Sequence, residues 1–359
     1  MKFLAIESSC DETAVAVVQK LPNGLVRVLG DSVASSEKLH VKTGGIVPEV
    51  AAREQLSSIL PTFQEAMFKT LKNLGSEART VEDLTQWVEG NIDAIVVTNG
   101  PGLIGSLLVG VETAKTFALT WNKPLIKINH LFGHVYANWV ESTIEKMVPK
   151  LPAVALIVSG NHTDLLLLNS HQEYQLLSST KDDAAGECFD KCGRKLGLPY
   201  PCGQQIENLA EKYEEKLGKI RLPRPLLDND SLDMSFSGLK AAFVREVEGL
   251  SSVELDNEVK ISLAHELQEA ITDILVKKTV VALKRLRPLS LVIGGGVSAN
   301  KRLRVKLTKA IAEEQLMVDF YFPEFKYCTD NAVMIGAAAF YQDSPVSLTR
   351  IKADPGLHF

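Results

Sequence analysis

Two histidines four positions apart, His130 and His134, are the pair of side chains best suited to binding a metal. On a helix, residues i and i+4 lie on one face, so two imidazoles placed there can bind one divalent cation. A zincin metalloprotease would carry glutamate at position 131, but Leu131 stands there, which argues against that chemistry. The alternative is a pair of histidines with a structural role, and spacing alone does not show where a third metal ligand would come from.

A polar turn lies between two apolar runs near the start of the chain. This first polar turn, residues 8–13, reads Ser-Ser-Cys-Asp-Glu-Thr. Hydroxyl-rich turns present backbone N–H groups that can cradle phosphate. Asp11 and Glu12 could orient a metal-bound water or a substrate. The alternative is an ordinary solvated turn.

Two glycine-rich loops each follow an apolar run and precede a helical pattern. They are Gly100-Pro101-Gly102-Leu103-Ile104-Gly105 and Gly294-Gly295-Gly296. Glycine lets a ligand approach the backbone, and the start of a helix favours anions. Neither loop matches the G-x-x-x-x-G-K-[ST] phosphate loop, and no clear acidic residue about twenty positions on completes a dinucleotide fingerprint. Each loop is therefore a candidate phosphate site or a simple strand-to-helix turn.

Charged residues gather in three runs. Residues 182–190 hold four carboxylates near a predicted helix start, where capping and the helix dipole account for two or three of them. Glu187 and Asp190 remain candidates for binding a polar ligand. Basic residues gather at 284–287 and 301–306 without aromatic neighbours, which favours solvated helix faces over a nucleic-acid contact.

The elements that position these residues alternate between strand and helix, as in an α/β protein. An apolar run, a polar turn and a second apolar run occur twice: around the first polar turn and, about 150 residues later, around residues 159–164, the second polar turn. This layout indicates an internal duplication. The patterns predict strands at 3–6, 14–18, 94–97, 125–128, 154–158, 165–168 and 291–293, and helices at 48–72, 106–118, 300–312 and 332–340.

Composition limits the class of protein. The 359 residues favour two domains, and 45% hydrophobic with 23% charged residues excludes a disordered chain. A net charge of −5 excludes a polycation that coats nucleic acid. No apolar run reaches the ~20 residues of a membrane span, and Glu7 comes too early for a signal peptide. Five cysteines without a Cys-x-x-Cys pair argue against a disulfide framework, so we expect a cytosolic protein.

Taken together and in order, eight motifs resemble the TsaD family, the tRNA N6-adenosine threonylcarbamoyltransferases. They extend from residue 3 to about 340 and are jointly specific, although each is weak alone. The motifs are Ile6-Glu7-Ser8-Ser9-Cys10-Asp11-Glu12-Thr13, Gly44-Gly45-Ile46-Val47-Pro48-Glu49, Gly100-Pro101-Gly102-Leu103-Ile104-Gly105, Asn129-His130-Leu131-x-Gly133-His134, Asp182-Asp183-Ala184-Ala185-Gly186-Glu187, Ser235-Phe236-Ser237-Gly238-Leu239-Lys240, Gly294-Gly295-Gly296-Val297-Ser298-Ala299-Asn300 and Cys328-Thr329-Asp330-Asn331.

The resemblance implies an actin/hexokinase-like (ASKHA) α/β fold, with two duplicated domains and a central cleft. It places residues 1–148, joined by 331–359, in the first domain and 149–330 in the second. It implies transfer of the threonylcarbamoyl group from threonylcarbamoyl-adenylate to N6 of the adenosine beside the anticodon, in tRNAs that read codons beginning with A, with release of AMP. Expected partners are tRNA, a paralogous ASKHA subunit and a small ATPase, in the cytoplasm and without a membrane.

The resemblance also implies the site residues. Asp11 and Glu12 are expected to be active-site acids, with Asp11 as general base. One divalent metal, iron or zinc, is expected on His130, His134 and Asp330. Adenylate contacts are expected at Ile157, Val158, Ser159, Gly160, Asn161, Asp190, Gly203 and Asn300.

Four residues depart from the family pattern: Phe132, Asn161, Cys202 and Gln55, which stand where glutamate, glycine, glycine and histidine are usual. Phe132 leaves the metal ligands intact but changes their surroundings. Asn161 can keep a turn that needs a positive φ, because asparagine tolerates that conformation better than most residues.

Three rival functions compete with this reading. A small-molecule kinase of the same fold would share the phosphate loops. A metallopeptidase would use the histidine pair but needs the glutamate that is missing at position 131. A non-catalytic scaffold of a tRNA-modifying assembly is disfavoured, because such scaffolds usually lack the two histidines.

Overall fold

The computed structural model describes residues 1–36, 45–76, 80–142, 147–215, 220–229, 231–251, 255–342 and 344–359. The chain divides into two compact units. Unit 1 comprises Met1–Pro149 and Pro323–Phe359, and unit 2 comprises Lys150–Phe322. The chain therefore returns from unit 2 to unit 1 between Phe322 and Pro323. The family resemblance instead predicts this boundary after residue 330. Asp330 consequently belongs to unit 1, the unit that also holds both histidines.

Each unit contains a five-stranded mixed sheet. The strands are β1 Lys2–Glu7, β2 Glu12–Lys20, β3 Val26–Ser35, β4 Ala94–Gly100, β5 Leu125–Asn129, β6 Ala153–Val158, β7 Thr163–Leu168, β8 Tyr174–Ser179, β9 Ser290–Gly294 and β10 Asp319–Tyr321. In unit 1 the order is β3-β2-β1-β4-β5, and β1 pairs antiparallel with β2 and parallel with β4. In unit 2 the order is β8-β7-β6-β9-β10, and β6 pairs antiparallel with β7 and parallel with β9.

The two sheets share one topology, a three-stranded antiparallel meander followed by two parallel strands. Both predicted hairpins are confirmed, and they occupy equivalent places, β1–β2 and β6–β7. The central strands of both sheets are apolar and buried, as is typical of sheets that lie inside α/β units. The duplicated α/β architecture expected from the sequence is therefore confirmed.

Helices follow the parallel strands and close each core. The described helices are α1 Pro48–Asn73, α2 Val81–Asn91, α3 Ile104–Thr120, α4 His130–Tyr136, α5 Ala185–Lys195, α6 Gly203–Ala210, α7 Ser237–Glu248, α8 Asn257–Leu286, α9 Lys301–Glu313 and α10 Ala332–Ala339. All four helices predicted from the sequence are present, with ends shifted by two residues or fewer. Across the described ranges, none of the helices is both long and apolar enough to cross a membrane.

The basic run at 301–306 is largely neutralised within the fold. Arg302 and Lys306 both pair with Glu269, and Lys301 pairs with Glu211 at 2.9 Å. The Arg304 guanidinium lies over the Phe322 ring instead. The structure thus supports the interpretation of this run as a helix face rather than a nucleic-acid surface.

Candidate functional site

The histidine pair lies on α4, directly after the buried strand β5. Asn129 ends the strand and begins the helix, because its Oδ1 accepts the Leu131 N–H at 2.9 Å. His130 and His134 then point from the same helical face, with ring centroids 4.7 Å apart and ring planes at 81°. The prediction that the two imidazoles share one helix face is confirmed.

Asp330 reaches this face because α10 packs closely on α4. A Cβ at Gly133 would lie only 2.7 Å from Ile335 Cδ1, so glycine permits this approach. Asp330 Oδ1 lies 3.3 Å from His130 Nε2 and 3.4 Å from His134 Nε2. Two imidazoles and one carboxylate from distant parts of the chain thus converge within unit 1.

The donor set fits a divalent metal. One ligand atom from each of the three side chains lies within 4.8 Å of the others. Around a tetrahedral centre with bonds of about 2.0–2.1 Å, neighbouring ligand atoms stand roughly 3.3–3.4 Å apart, which matches the two imidazole–carboxylate separations. Two nitrogen ligands and one oxygen ligand also leave a coordination position open for a substrate, as in catalytic metal sites.

Behind His130, the buried carboxylate of Glu7 fixes the orientation of the ring. Glu7 Oε2 lies 3.1 Å from His130 Nδ1, while Glu7 Oε1 accepts the Ser9 N–H at 2.5 Å and Thr98 Oγ1 donates to Oε2. With Nδ1–H donated to the carboxylate, His130 presents the Nε2 lone pair toward Asp330. Sequence reasoning missed this role of Glu7. The available signal was a charged residue ending an otherwise apolar buried strand, where an unpaired carboxylate is too costly.

Negative charge accumulates around His130, His134 and Asp330, the three candidate ligands. Burial, then the charges of Asp330 and Asp11, hold the pKa of Glu12 well above its usual range. Burial and the same carboxylates raise the pKa of the Cys10 thiol far above its ordinary value. Burial alone would lower the pKa of His130, but the charges of Asp330 and Glu7 outweigh it and hold that pKa well above its usual value. A bound cation would relieve this repulsion.

Contacts from two other elements hold the first polar turn, which carries Asp11 and Glu12. Gln55 Nε2, on α1, donates to Cys10 O at 2.9 Å and to Glu12 O at 3.0 Å. Gly102 has a φ of +155°, and a Cβ there would overlap Ser9 O, so the glycine loop lies directly against this turn. Gln55, which replaces the usual histidine, therefore supports the backbone that carries both acids.

The second polar turn occupies the equivalent place in unit 2. Ser159 N–H donates to His162 O at 2.9 Å, and His162 N–H donates to Ser159 Oγ at 3.2 Å. Ile157 and Val158 are wholly buried, main chain included, so the structure leaves neither of them exposed to a ligand. Gly160 and Asn161 are exposed, and Asn161 does not have the positive φ that the sequence suggested. The hydrogen bonds between positions 159 and 162 close this turn without a positive φ at Asn161.

The remaining predicted adenylate residues also lie in unit 2. Asp190 Oδ1 accepts the Cys202 N–H at 2.7 Å, and burial raises the pKa of this carboxyl despite that bond. The Cys202 side chain is buried against Gly193, so this departure from the family pattern faces the core. A Cβ at Gly203 would meet no atom of the described residues within 4 Å, which leaves space for a ligand.

Asn300 has a structural task that sequence analysis did not foresee. Its Oδ1 accepts the Leu303 N–H at 2.9 Å and caps α9, while its Nδ2 donates to Gln268 Oε1 at 2.9 Å. Beside it, Gly295 has a φ of +89°, and a Cβ there would overlap Val158 O. The glycine loop of unit 2 is therefore packed against β6 as its counterpart in unit 1 is packed against the first polar turn.

Comparison with known proteins identifies the family. The model of TsaD, described as tRNA N6-adenosine threonylcarbamoyltransferase, matches residues 27–337. The chain belongs to the TsaD family. TsaD relatives of that name share 42% identity with it in Moorella thermoacetica, over 97% of this chain and 95% of the relative, and 41% in Thermosipho africanus, over 99% of both. A third, from Staphylococcus saprophyticus, is 41% identical over 94% of this chain and 90% of its own length.

Solved structures show the same fold at low identity. HypF from T. kodakarensis superposes with a TM-score of 0.58 at 13% identity, covering 95% of this chain and 49% of HypF. Full-length HypF in the phosphate- and nucleotide-bound form gives a TM-score of 0.55 at 10% identity, covering 94% of this chain and 46% of HypF. The fold is thus of the actin/hexokinase-like class, and the family match favours neither the kinase nor the metallopeptidase reading.

Proposed function

We propose that this TsaD-family protein transfers the threonylcarbamoyl group of threonylcarbamoyl-adenylate to N6 of the adenosine beside the anticodon, in tRNAs that read codons beginning with A. One observation carries the proposal: a family match over most of the chain coincides with convergence of His130, His134 and Asp330. In this reaction the N6 nitrogen bonds to the carbamoyl carbon, the bond from that carbon to the phosphate oxygen breaks, and AMP leaves with its electron pair. We also propose that the reaction takes place in the cytoplasm.

His130, His134 and Asp330 would hold one divalent metal, iron or zinc, since either accepts two imidazoles and a carboxylate. The metal, when bound, acts as a Lewis acid that polarises the carbonyl and offsets charge on the leaving phosphate. Glu7 keeps the His130 ring oriented with Nε2 toward Asp330, so the ligand set is arranged before any metal arrives.

The two acids of the first polar turn would take up the proton that N6 releases. Glu12 and Asp11 are hydrogen-bonded to each other, and burial together with the charges of Asp330 and Asp11 raises the pKa of Glu12. We assign Asp11 as the base, because a side-chain carboxylate within reach of the nucleophile can accept the proton that N6 releases. Gln55 holds the backbone on both sides of Asp11 and so fixes the position of the base.

Unit 2 would bind the adenylate. The exposed turn at Gly160 and Asn161 and the open space beside Gly203 give room for a ligand. The Ser159 hydroxyl lies in the same turn as Gly160 and Asn161. The Asp190 carboxyl accepts from the N–H of Cys202, the residue before Gly203. The exocyclic amine of adenine is a weak nucleophile, so positioning of both substrates must supply much of the rate.

The proposal is tested with purified protein, its partner proteins, a tRNA transcript that reads codons beginning with A, and synthetic threonylcarbamoyl-adenylate. Mass spectrometry of the digested nucleosides should show threonylcarbamoyladenosine, with one AMP released per modified adenosine. A transcript with guanosine at the target position should stay unmodified. Absence of the modified nucleoside, together with phosphorylation of a sugar or acid when ATP is supplied, would establish the kinase alternative instead.

We further propose that the protein works with a paralogous ASKHA subunit and a small ATPase, and that α1 and α3 form the face that binds the paralogous subunit. These helices pack side by side through Phe63 and Phe117, whose rings are 4.9 Å apart. Their outer surfaces expose leucine and isoleucine at helical spacing, as apolar docking faces do. This α1/α3 face consists of Leu56, Leu60, Ile104 and Leu108, which are 70%, 55%, 50% and 45% exposed.

A double variant, Leu56→Glu with Leu108→Glu, is expected to weaken binding of the paralogous subunit by about 30-fold or more, since loss of central apolar anchors costs at least ~2 kcal/mol. Analytical ultracentrifugation of the mixed subunits measures the change. Leu289→Glu, at a leucine of unit 2 that is 49% exposed, is the matched control and should leave binding intact. Equal affinity of the double variant and the wild type would show that the subunit binds elsewhere.

A further inference from the structure

We propose that residues 354–359, here called the clasp segment, position the metal-binding imidazoles. The segment contacts Asn129 and Phe132, which lie on either side of His130 in the sequence. The inference rests on the proposed metal site and adds to it a part of the chain that none of the eight motifs includes.

The clasp segment is fixed to unit 1 at its first residue. Asp354 N–H donates to Asn99 O at 2.7 Å, close to the end of β4. A Cβ at Gly100 would overlap Asp354 O, so glycine lets the segment lie against this loop. Just before the segment, Ile351 is buried in the core that also contains β1 and β4. The segment is therefore attached at the carboxyl ends of the parallel strands of this sheet, and α4 begins at the same end.

Asn129 joins the clasp segment to the start of α4. Its Oδ1 caps the helix through the Leu131 N–H, and its Nδ2 donates to His358 O at 3.1 Å. One side-chain amide thus holds the first turn of the helix and the clasp segment at once. A change in the position of the segment is transmitted directly to the residue that precedes His130.

An aromatic contact forms the second link. The ring of Phe359 meets the ring of Phe132 edge to face, with centroids 5.2 Å apart and planes at 86°. Phe132 is buried and lies between the two histidines, where the family pattern usually has glutamate. The Phe132 ring is apolar, and its burial requires neighbouring side chains to cover it. The clasp segment provides part of that cover, so the Phe132 departure and the segment belong together.

The need for such support follows from the length of α4. The helix has 7 residues, fewer than two turns, and isolated helices shorter than about 12–15 residues are marginal in water. Its position must come from packing, from its cap and from the clasp segment. Metal ligands must be held within about 0.5 Å of the productive geometry, so a loosened first turn lowers metal affinity.

Titration of the metal-free protein with Co²⁺ tests the inference, because the absorption bands of this ion report the arrangement of its ligands. Asn129→Ser keeps a helix cap but loses the bond to His358 O, and Phe359→Ala removes the aromatic contact. Each variant is expected to weaken Co²⁺ binding about 10-fold and to alter the absorption spectrum. A loss of affinity of this size is typical when residues behind metal ligands are changed. Phe359→Tyr, which keeps the ring, should restore both affinity and spectrum.

Controls separate positioning from simple stability. Phe68→Ala, at a half-exposed phenylalanine of α1, should bind Co²⁺ as the wild type does. Wild-type affinity and spectrum in both Asn129→Ser and Phe359→Ala would overturn the inference while leaving the metal site standing. Weakened binding with an unchanged spectrum and no rescue by Phe359→Tyr would also overturn it. Failure of the wild type to bind Co²⁺ would overturn the proposed metal site itself, and the inference with it.

Discussion

Replacing Asp330 by alanine is expected to abolish metal retention and threonylcarbamoyl transfer together. Asp330 Oδ1 is the atom that both imidazoles face, at 3.3 and 3.4 Å, so its loss leaves two nitrogens without a shared third ligand. Changes behind a metal ligand typically weaken binding 10- to 100-fold, so removal of a ligand should exceed about 100-fold. Metal content after dialysis and the yield of modified nucleoside measure the two losses.

The free energy of unfolding of metal-free Asp330→Ala should stay within about 1 kcal/mol of the wild-type value, because this side chain is partly exposed and lies outside both cores. Asp319→Ala, an exposed aspartate on β10, is the matched control and should keep metal and activity. His134→Ala should reproduce the loss caused by Asp330→Ala. If Asp330→Ala retained wild-type metal content and activity, the three-residue centre would be refuted.

The sequence predicted the parts of the fold that depend on short-range patterns. The hairpins at β1–β2 and β6–β7 follow from apolar runs broken by polar turns, and the i, i+4 spacing placed both imidazoles on one helix face. These features are encoded within a few residues, so periodicity finds them. The shared topology of the two sheets then follows from repetition of the same pattern.

Asp330, the third candidate metal ligand, could be predicted only from the family resemblance. Asp330 reaches the histidines because α10 packs on α4 across Gly133, and that approach depends on contacts between segments far apart in the sequence. No spacing rule relates position 330 to position 130. The Glu7 contact is hidden for the same reason, since the strand that ends in Glu7 pairs with β4 and only thereby approaches the start of α4.

Apolar spacing also failed to separate buried from exposed positions on α1. Leu56, Ile59, Leu60 and Phe63 fit one helical pattern, yet Ile59 and Phe63 are buried while Leu56 and Leu60 are exposed. A wide apolar face satisfies both a core and a docking surface, and the sequence does not show where one ends and the other begins. Only the packed neighbours of α1 make that distinction.

Glu7→Gln is expected to weaken metal binding by about 10- to 100-fold while keeping one acceptor oxygen for the buried donors around it. The carboxylate of Glu7 is wholly buried and accepts from Ser9 N–H and Thr98 Oγ1 as well as facing His130 Nδ1. A neutral amide of the same shape can still accept the Nδ1–H through its oxygen, but it does not raise the basicity of the imidazole as a carboxylate does. Competition with a chelator of known affinity measures the change.

Glu7→Ala should have an additional effect, because it leaves three buried donors without their acceptor and so lowers the free energy of unfolding by about 1–3 kcal/mol for each unsatisfied group. Comparison of the two variants separates the electrostatic role of the carboxylate from its structural role. Glu141→Gln, at an exposed partner of Arg27 in unit 1, is the matched control and should bind metal as the wild type does. Wild-type metal affinity in Glu7→Gln would contradict the prediction. It would mean that the orientation of the ring, which the glutamine oxygen can preserve, sets the affinity. The negative charge behind His130 would then serve the fold rather than the metal.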